Sequence, residues 1–157
     1  MSAKTTYESS PVNVRVKIFG LWTATLFVFA YVDIFQFYRA DVLADIAAGK
    51  VSAFTIGQGF LLFTTAYIVL PSLMVFLTLV LPPRVNRIVN MVLSVLYALT
   101  IAVAAIGEWT YFVIASLIEI VLLAAIAYLA WTWPKVSPGS PTQSLSDVRN
   151  NSASRLL

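Results

Sequence analysis

The sequence predicts an all-α protein: a four-helix transmembrane bundle with a short interfacial helix between spans one and two. Of the 157 residues, 60% are hydrophobic and only 11% are charged, which is too apolar for a soluble core of this size. The apolar residues form four runs, each long enough to cross ~30 Å of hydrocarbon as a helix. Aromatic residues and prolines mark the ends of these runs. We expect one membrane domain, residues 14–134, between two disordered cytoplasmic tails, residues 1–13 and 135–157.

The first predicted span, residues 18–38, follows two basic residues and ends in an aromatic-rich stretch. A cleaved signal peptide is the competing interpretation, because the small-residue pattern at positions 28–30 would allow cleavage after Ala30. The apolar character continues past Ala30, which favours a helix that is retained. Five side chains recur at spacings of three and four, so one helical face carries the polar groups of this span, and we expect this face to point into the bundle. This face comprises Trp22, Thr25, Phe29, Asp33 and Gln36.

The segment 39–50 is too polar to cross a membrane. Its apolar side chains nevertheless share a helical face opposite Asp41 and Asp45. This pattern predicts a short helix on the membrane surface, which Gly49 ends. A solvated connector is the simplest role for the two aspartates.

The second and third predicted spans, residues 55–81 and 85–106, flank two consecutive prolines. Pro71 is expected to kink the second span, because proline lacks the backbone N–H that a helix needs. Glycines on both sides of Gln58 let a neighbouring backbone come close. The third span carries a stripe that must face protein or water rather than lipid. The stripe comprises Asn86, Asn90, Ser94, Tyr97 and Ile101.

The fourth predicted span, residues 109–133, has tryptophans at both ends and the carboxyl of Glu119 inside it. Glu119 lies ~14 Å from the nearer end, close to the membrane midplane. Tyr67 and Tyr97 fall at about the same depth, so we expect a phenol to be within hydrogen-bonding reach of the carboxyl. Glu119 is then a protonated group that joins two helices, a proton- or cation-responsive site, or a catalytic group.

Asp33 lies nearer to the membrane surface, about 6 Å below the end of the first span. Its simplest role is to cap the helix or to pair with Arg39 or Lys50. Two carboxyls on different helices also suggest acid/base catalysis, but Asp33 and Glu119 differ in depth by about 8 Å, which does not favour it.

The positions of lysine and arginine predict the orientation of the four spans. Eight of the ten basic residues fall on one side, and only Arg39 and Lys50 fall on the other. We therefore expect both termini in the cytoplasm. Arg84 and Arg87 act most simply as topology determinants, and they also form a candidate site for a lipid phosphate.

The chain contains no cysteine and no histidine, which excludes disulfides, thiolate chemistry, haem ligation by histidine and the usual zinc sites. It has no glycine-rich phosphate loop, no nucleophile motif and no metal-ligand cluster. The basic residues are scattered singly, which argues against binding to nucleic acid. We expect no cofactor and no metal. The expected partners are membrane lipids and either a second copy of the chain or a partner membrane protein.

Six short segments between Leu21 and Trp133 carry a resemblance. They are Leu21-Trp22, Tyr31-Val32-Asp33-Ile34, Gln58-Gly59-Phe60-Leu61-Leu62, Asn86-Arg87 with Asn90, Ser116-Leu117-Ile118-Glu119-Ile120, and Ala130-Trp131-Thr132-Trp133. In this order they resemble an uncharacterised family of small four-helix bacterial membrane proteins, a domain of unknown function similar in size to DoxX-type proteins. The resemblance implies four spans in the bacterial inner (plasma) membrane, and it implies no activity. The connector, residues 39–50, departs from the pattern expected there.

These observations favour a non-enzymatic integral membrane protein that binds a lipid, a small amphiphile or a partner membrane protein in a polar-lined cleft. The alternative is a proton-coupled dimeric exporter of hydrophobic cations that uses Glu119. An intramembrane enzyme that acts on an isoprenoid or lipid is the third hypothesis. No catalytic residue is assigned. The candidate ligand-binding residues are Glu119, Asp33, Gln36, Gln58, Tyr97 and Tyr67.

Overall fold

A computed structural model describes residues 12–133 of the chain. The predicted tails, residues 1–13 and 135–157, lie outside the described residues except for Val12 and Asn13. The elements are α1 (Val14–Gln36), α2 (Ala40–Ala47), β1 (Lys50–Val51), β2 (Phe54–Thr55), α3 (Gln58–Val80), α4 (Pro83–Ala104) and α5 (Thr110–Trp131). Four of these helices, α1, α3, α4 and α5, are long and apolar enough to cross a membrane. The protein is therefore a multi-pass membrane protein with an all-α bundle, and the short helix between spans one and two is also confirmed.

The ends of the spans differ from the prediction by a few residues, for local reasons. Helix α1 begins four residues earlier, because the side-chain oxygen of Asn13 accepts a hydrogen bond from the Arg15 amide (2.9 Å) and caps the helix. Helix α4 begins at Pro83 rather than after it, since proline is well suited to the first turn of a helix.

The connection between α2 and α3 contains a small β-hairpin that the sequence did not predict. Helix α2 ends as expected at Gly49, whose φ of +76° is a conformation that favours glycine. The chain then forms the antiparallel pair β1 and β2, and the Ile56 amide donates back to the Gly49 carbonyl (2.8 Å). This closed loop takes up residues 50–56, so α3 starts three residues later than the predicted span.

Helix α1 lies between α3 and α5 in the bundle, and α5 also packs along α4. Helices α3 and α4 are less closely packed on each other and complete the ring. All five residues of the predicted stripe on α4 are buried. The predicted face of α1 is buried at Trp22 and Thr25 and half-buried at Phe29, but near the end of the helix Val32 is buried and Asp33 is exposed.

The bundle has two ends, proximal and distal. The proximal end holds Val14, Val80, Pro83 and Trp131, and the distal end holds Gln36, Gln58, Ala104 and Thr110. Helices α1 and α4 run from proximal to distal, and α3 and α5 run in the opposite direction.

Candidate functional site

Buried polar side chains in the proximal half of the bundle satisfy one another. The Trp22 indole N–H donates to the Asn90 side-chain oxygen (2.7 Å), and the Asn90 amide donates to the Asn86 carbonyl (2.9 Å). The Asn86 amide donates in turn to the Thr78 carbonyl (2.6 Å). These four residues belong to α1, α3 and α4 and are fully buried. The asparagines of the α4 stripe therefore hold helices together, as hydrogen-bonded amides commonly do in membrane bundles.

Two arginines close the proximal end by binding the carbonyls at the ends of helices. Arg15 donates to the Leu79 carbonyl (2.6 Å) at the end of α3, and Arg87 donates to the Trp131 carbonyl (3.1 Å) at the end of α5. Helix ends leave such carbonyls without partners inside the helix. Arg87 thus has a protein partner, whereas Arg84 is exposed. Binding of a lipid phosphate by these residues stays a prediction.

The two candidate tyrosines meet at the proline of α3. Pro71 has no N–H to donate to the Tyr67 carbonyl four residues earlier, and the Tyr97 hydroxyl donates to that carbonyl instead (2.5 Å). The Tyr67 hydroxyl pairs with the Thr100 hydroxyl (2.6 Å), and the two tyrosine rings lie 4.6 Å apart. The expected hydrogen bond between a phenol and Glu119 is therefore not formed, because both hydroxyls have other partners.

Glu119 lies on the buried face of α5, and its side chain is 4% exposed. Its Oε1 atom is buried and has no hydrogen-bond partner among the described residues. A buried carboxyl oxygen without a partner is unfavourable in an apolar surrounding, because the hydrogen bonds lost with water are not replaced.

Asp33 and Gln36 lie near the distal end of α1, where Gln36 donates a long hydrogen bond to Asp33 (3.4 Å). Asp33 is exposed and forms no ion pair within residues 12–133. Its expected partner Arg39 binds other carboxylates. Gln58, the first residue of α3, is exposed at the same end.

Two cavities lie beside these helices. The first, about 20 Å³, is lined by Tyr67, Tyr97 and Pro71 among others and has room for about one water molecule. The second is an open groove of about 370 Å³ between α1 and α5, lined mainly by aromatic and aliphatic side chains. Neither cavity is lined by Glu119, Asp33, Gln36 or Gln58. Within the described part of the chain, no group of three or more acidic, histidine or cysteine side chains is placed to hold a metal ion.

An arginine cluster at the distal end was missed by the sequence analysis. Arg39 binds Asp41 (2.7 Å) and Glu108 (2.6 Å), and its guanidinium lies 4.7 Å from the centre of the Trp109 ring. The hydrogen bonds that Arg39 donates to the carboxylates of Asp41 and Glu108 raise the pKa of Arg39, and the same bonds lower the pKa of Asp41. The cluster joins the α1–α2 connection to the α4–α5 connection. The opposite charges of these two short connections are the signal that was available in the sequence.

The comparison with protein families gives one match, and it agrees with the resemblance seen in the sequence. The model described as "Family of unknown function (DUF6326)" matches residues 12–139. The comparisons with curated proteins and with solved structures found no match. The match covers most of the chain and all four apolar helices. The chain therefore belongs to the DUF6326 family, a family of unknown function.

Proposed function

We propose that this protein is a non-enzymatic membrane protein that binds a small amphiphile with a cationic, hydrogen-bond-donating headgroup in the distal half of the bundle. The observation that carries the proposal is a contrast between the two halves. Buried polar groups of the proximal half satisfy one another, whereas the Glu119 carboxyl in the distal half has a buried oxygen without a partner. An ionisable side chain inside the membrane is by default a candidate functional site, and a buried polar atom without a partner needs an explanation.

A primary ammonium group is complementary to the carboxyl groups of Glu119 and Asp33. It has three donors and a positive charge, so it supplies both a hydrogen bond and a counter-charge to a carboxylate. Glu119 lies nine residues from the distal end of α5, about 14 Å deep, and Asp33 lies three residues from the distal end of α1, about 5 Å deep. The exposed Asp33 would then attract the headgroup first, and Glu119 would hold it. Gln36 and Gln58 lie at the distal ends of α1 and α3.

A proton-coupled dimeric exporter of hydrophobic cations is the second candidate. The same buried carboxyl supports it, since one group that binds either a proton or a cation is what such a mechanism needs. The two candidates differ in whether a bound amine is moved across the membrane. An intramembrane enzyme has less support, because the two carboxyls lie at different depths and neither of them lines one of the two cavities within residues 12–133.

The proposed location is the bacterial inner membrane, with the distal end facing outwards and both termini in the cytoplasm. Arg15, Lys17, Arg84 and Arg87 lie at the proximal end, which supports this orientation through the excess of basic residues in cytoplasmic segments. The chain has no native cysteine, so single cysteines can report the orientation directly. Ser52→Cys should react with a membrane-impermeant maleimide in intact cells, and Arg84→Cys should react only after lysis.

Binding of dodecylamine to protein in lipid nanodiscs tests the function, with empty nanodiscs to subtract partition into lipid. We expect saturable binding that dodecanol does not match. The Glu119→Gln variant should bind at least about tenfold more weakly, since a partly buried charge pair contributes on the order of 1.4 kcal/mol or more. Asp45→Asn removes an exposed carboxylate on α2 and is the matched control. Equal affinity of the wild type and Glu119→Gln would refute the proposal. Uptake of dodecylamine into proteoliposomes under a pH gradient would favour the exporter.

A further inference from the structure

The distal half of α3 packs more loosely than the distal half of any other span. Helix α3 has three buried residues, and all of them lie in the part that runs from Pro71 to the proximal end. No residue of its distal half, residues 58–70, is buried. The distal halves of α1, α4 and α5 each contain at least one buried side chain. Because local stability falls as buried contacts become fewer, the distal half of α3 is held least firmly in the bundle.

Pro71 marks the boundary between the two halves of α3. It has no N–H to donate to the Tyr67 carbonyl, so the backbone hydrogen bonds of α3 are interrupted at this point. Bends in membrane helices commonly lie at such prolines. The cavity of about 20 Å³ lies beside the boundary and is lined by Tyr67, Ile68 and Pro71 on the α3 side. Side chains in a close-packed interior need free volume to change position, and this cavity provides it next to the weak point of the helix.

Two hydroxyl groups hold the distal half of α3 against α4. The Tyr97 hydroxyl donates to the Tyr67 carbonyl (2.5 Å), and the Tyr67 hydroxyl pairs with the Thr100 hydroxyl (2.6 Å). Thr100 is exposed, so the second contact lies at the outer edge of the seam between the two helices. Within the described part of the chain, residues 58–66 form no hydrogen bond to α4. Side-chain hydrogen bonds between membrane helices are individually modest, so breaking these two contacts is enough to free this side of α3.

A displacement of the distal half of α3 uncovers the interior at the level of Glu119. Helix α3 lies opposite α5 in the ring of spans, because α1 and α4 separate the two on either side. The buried face of α5 includes Glu119. Tyr67 and Glu119 each lie nine residues from the distal end of their helix, about 14 Å deep. An opening between α3 and α4 at this depth would let a headgroup enter the bundle while its apolar chain stays in the surrounding lipid.

We propose that residues 58–70 form a lateral gate that turns on Pro71, is closed by the contact between Tyr67 and Thr100, and opens between α3 and α4 to admit an amphiphile to Glu119. The role of the gate rests on the amine site proposed above, but its movement can be measured without any amine. Helix α1 lies along α3 and supports it on the other side.

Distances between pairs of spin labels, measured by double electron–electron resonance in lipid nanodiscs, test the movement. The chain has no native cysteine, so labels can be placed at chosen exposed positions. Leu62→Cys with Leu117→Cys reports the distal halves of α3 and α5. Phe76→Cys with Tyr128→Cys reports their proximal halves and is the control pair. We expect two distances for the distal pair and one for the proximal pair. Two distances in both pairs would mean that the whole helix moves, which would overturn the hinge.

Three variants in the distal pair test the parts of the gate. Tyr67→Phe keeps the ring but removes the contact with Thr100, so it should raise the ratio of the longer to the shorter distance about threefold or more. Thr65→Val removes an exposed hydroxyl that bonds only within α3 and should leave the ratio unchanged. Pro71→Ala restores the backbone donor and should remove the longer distance. A single distance in both the wild type and Tyr67→Phe would overturn the gate, and a longer distance that persists in Pro71→Ala would overturn the hinge.

The rate of dodecylamine association tests the role of the gate, with tryptophan fluorescence in a stopped-flow instrument as the signal and empty nanodiscs as the blank. Tyr67→Phe should bind faster by about the same factor as its open fraction rises, because the amine enters only the open form. Equal rates in the wild type and Tyr67→Phe would overturn entry through the gate. Two distal distances without any dodecylamine binding would refute the amine site and still support the movement of α3.

Discussion

The hydrogen bond from the Tyr97 hydroxyl to the Tyr67 carbonyl should contribute more to the free energy of unfolding than an ordinary side-chain hydrogen bond. Pro71 removes the helical donor of this carbonyl, so the Tyr97 hydroxyl is its replacement. Tyr97→Phe keeps the ring and its contacts with Trp22 and Tyr67 but leaves the carbonyl without a donor. An unpaired buried polar group costs about 1–3 kcal/mol, and side-chain hydrogen bonds in membrane proteins reach about 1.7 kcal/mol. We therefore expect Tyr97→Phe to lower the free energy of unfolding by about 1–2 kcal/mol.

A double-mutant cycle isolates this contribution. Pro71→Ala restores a backbone N–H at position 71, which can donate to the Tyr67 carbonyl within α3. In the Pro71→Ala background, Tyr97→Phe should cost less than about 0.5 kcal/mol, so the coupling energy between the two changes should be about 1 kcal/mol. Helicity and tryptophan fluorescence during titration with sodium dodecyl sulfate in mixed micelles measure the four free energies of unfolding. Tyr128→Phe, at an exposed tyrosine of α5, is the control and should be neutral.

An equal loss of unfolding free energy on Tyr97→Phe in the wild-type and Pro71→Ala backgrounds would refute this explanation. The tyrosine would then act only through packing, and the role assigned to Pro71 would be wrong.

Three further changes test other parts of the structure in the same assay. Asn90→Leu should lower the free energy of unfolding by about 2 kcal/mol, because the buried donors of Trp22 and Thr78 lose the side-chain oxygen that accepts their hydrogen bonds. No loss would mean that the proximal network does not stabilise the fold. Arg39 lowers the pKa of Asp41 in the folded state, so this ion pair stabilises the fold fully above the usual carboxyl pKa of about 3.9, and the stabilisation is lost as the pH falls through the lower folded pKa. Asp41→Asn should flatten this part of the profile of stability against pH, and an unchanged profile would contradict the ion pair. Gly49→Ala should cost about 1 kcal/mol through its φ of +76°. Gly57→Ala has equal free space and an extended backbone, so it should cost less, since only the position of Gly57 as the N-cap of α3 favours glycine there; equal effects would contradict the backbone explanation.

The architecture could be predicted from the sequence because lipid restricts the backbone to a few solutions. Runs of apolar residues long enough to span, with prolines and aromatic residues at their ends, allow little besides membrane helices. The stripe on α4 was predicted residue by residue, since five positions at spacings of three and four define one face without reference to any other helix. The order of α1, α3, α4 and α5 along the chain follows directly from these runs.

Features that depend on the rotation of one helix against another could not be predicted. The spacing along α1 is compatible with burial of either Val32 or Asp33, and only the position of the neighbouring helices makes Val32 the buried one. Pro71 and Tyr97 were each singled out, but their connection through the Tyr67 carbonyl requires knowing which side of α3 faces α4. The pairing of Arg39 with Glu108, 69 residues apart, has the same origin.

The contrast between the halves of the bundle gives the candidate site a physical basis. At the proximal end, the asparagine network and the bonds from Arg15 and Arg87 hold the helices together. At the distal end, the Arg39 cluster joins the connections rather than the spans, and deeper in the bundle the Oε1 atom of Glu119 has no partner within the described residues. The amphiphile that we propose would therefore meet an apolar bundle whose helices are already held at the opposite end. Binding there needs to break none of the hydrogen bonds of the proximal network, so the unpaired carboxyl can gain a partner while the fold stays in place.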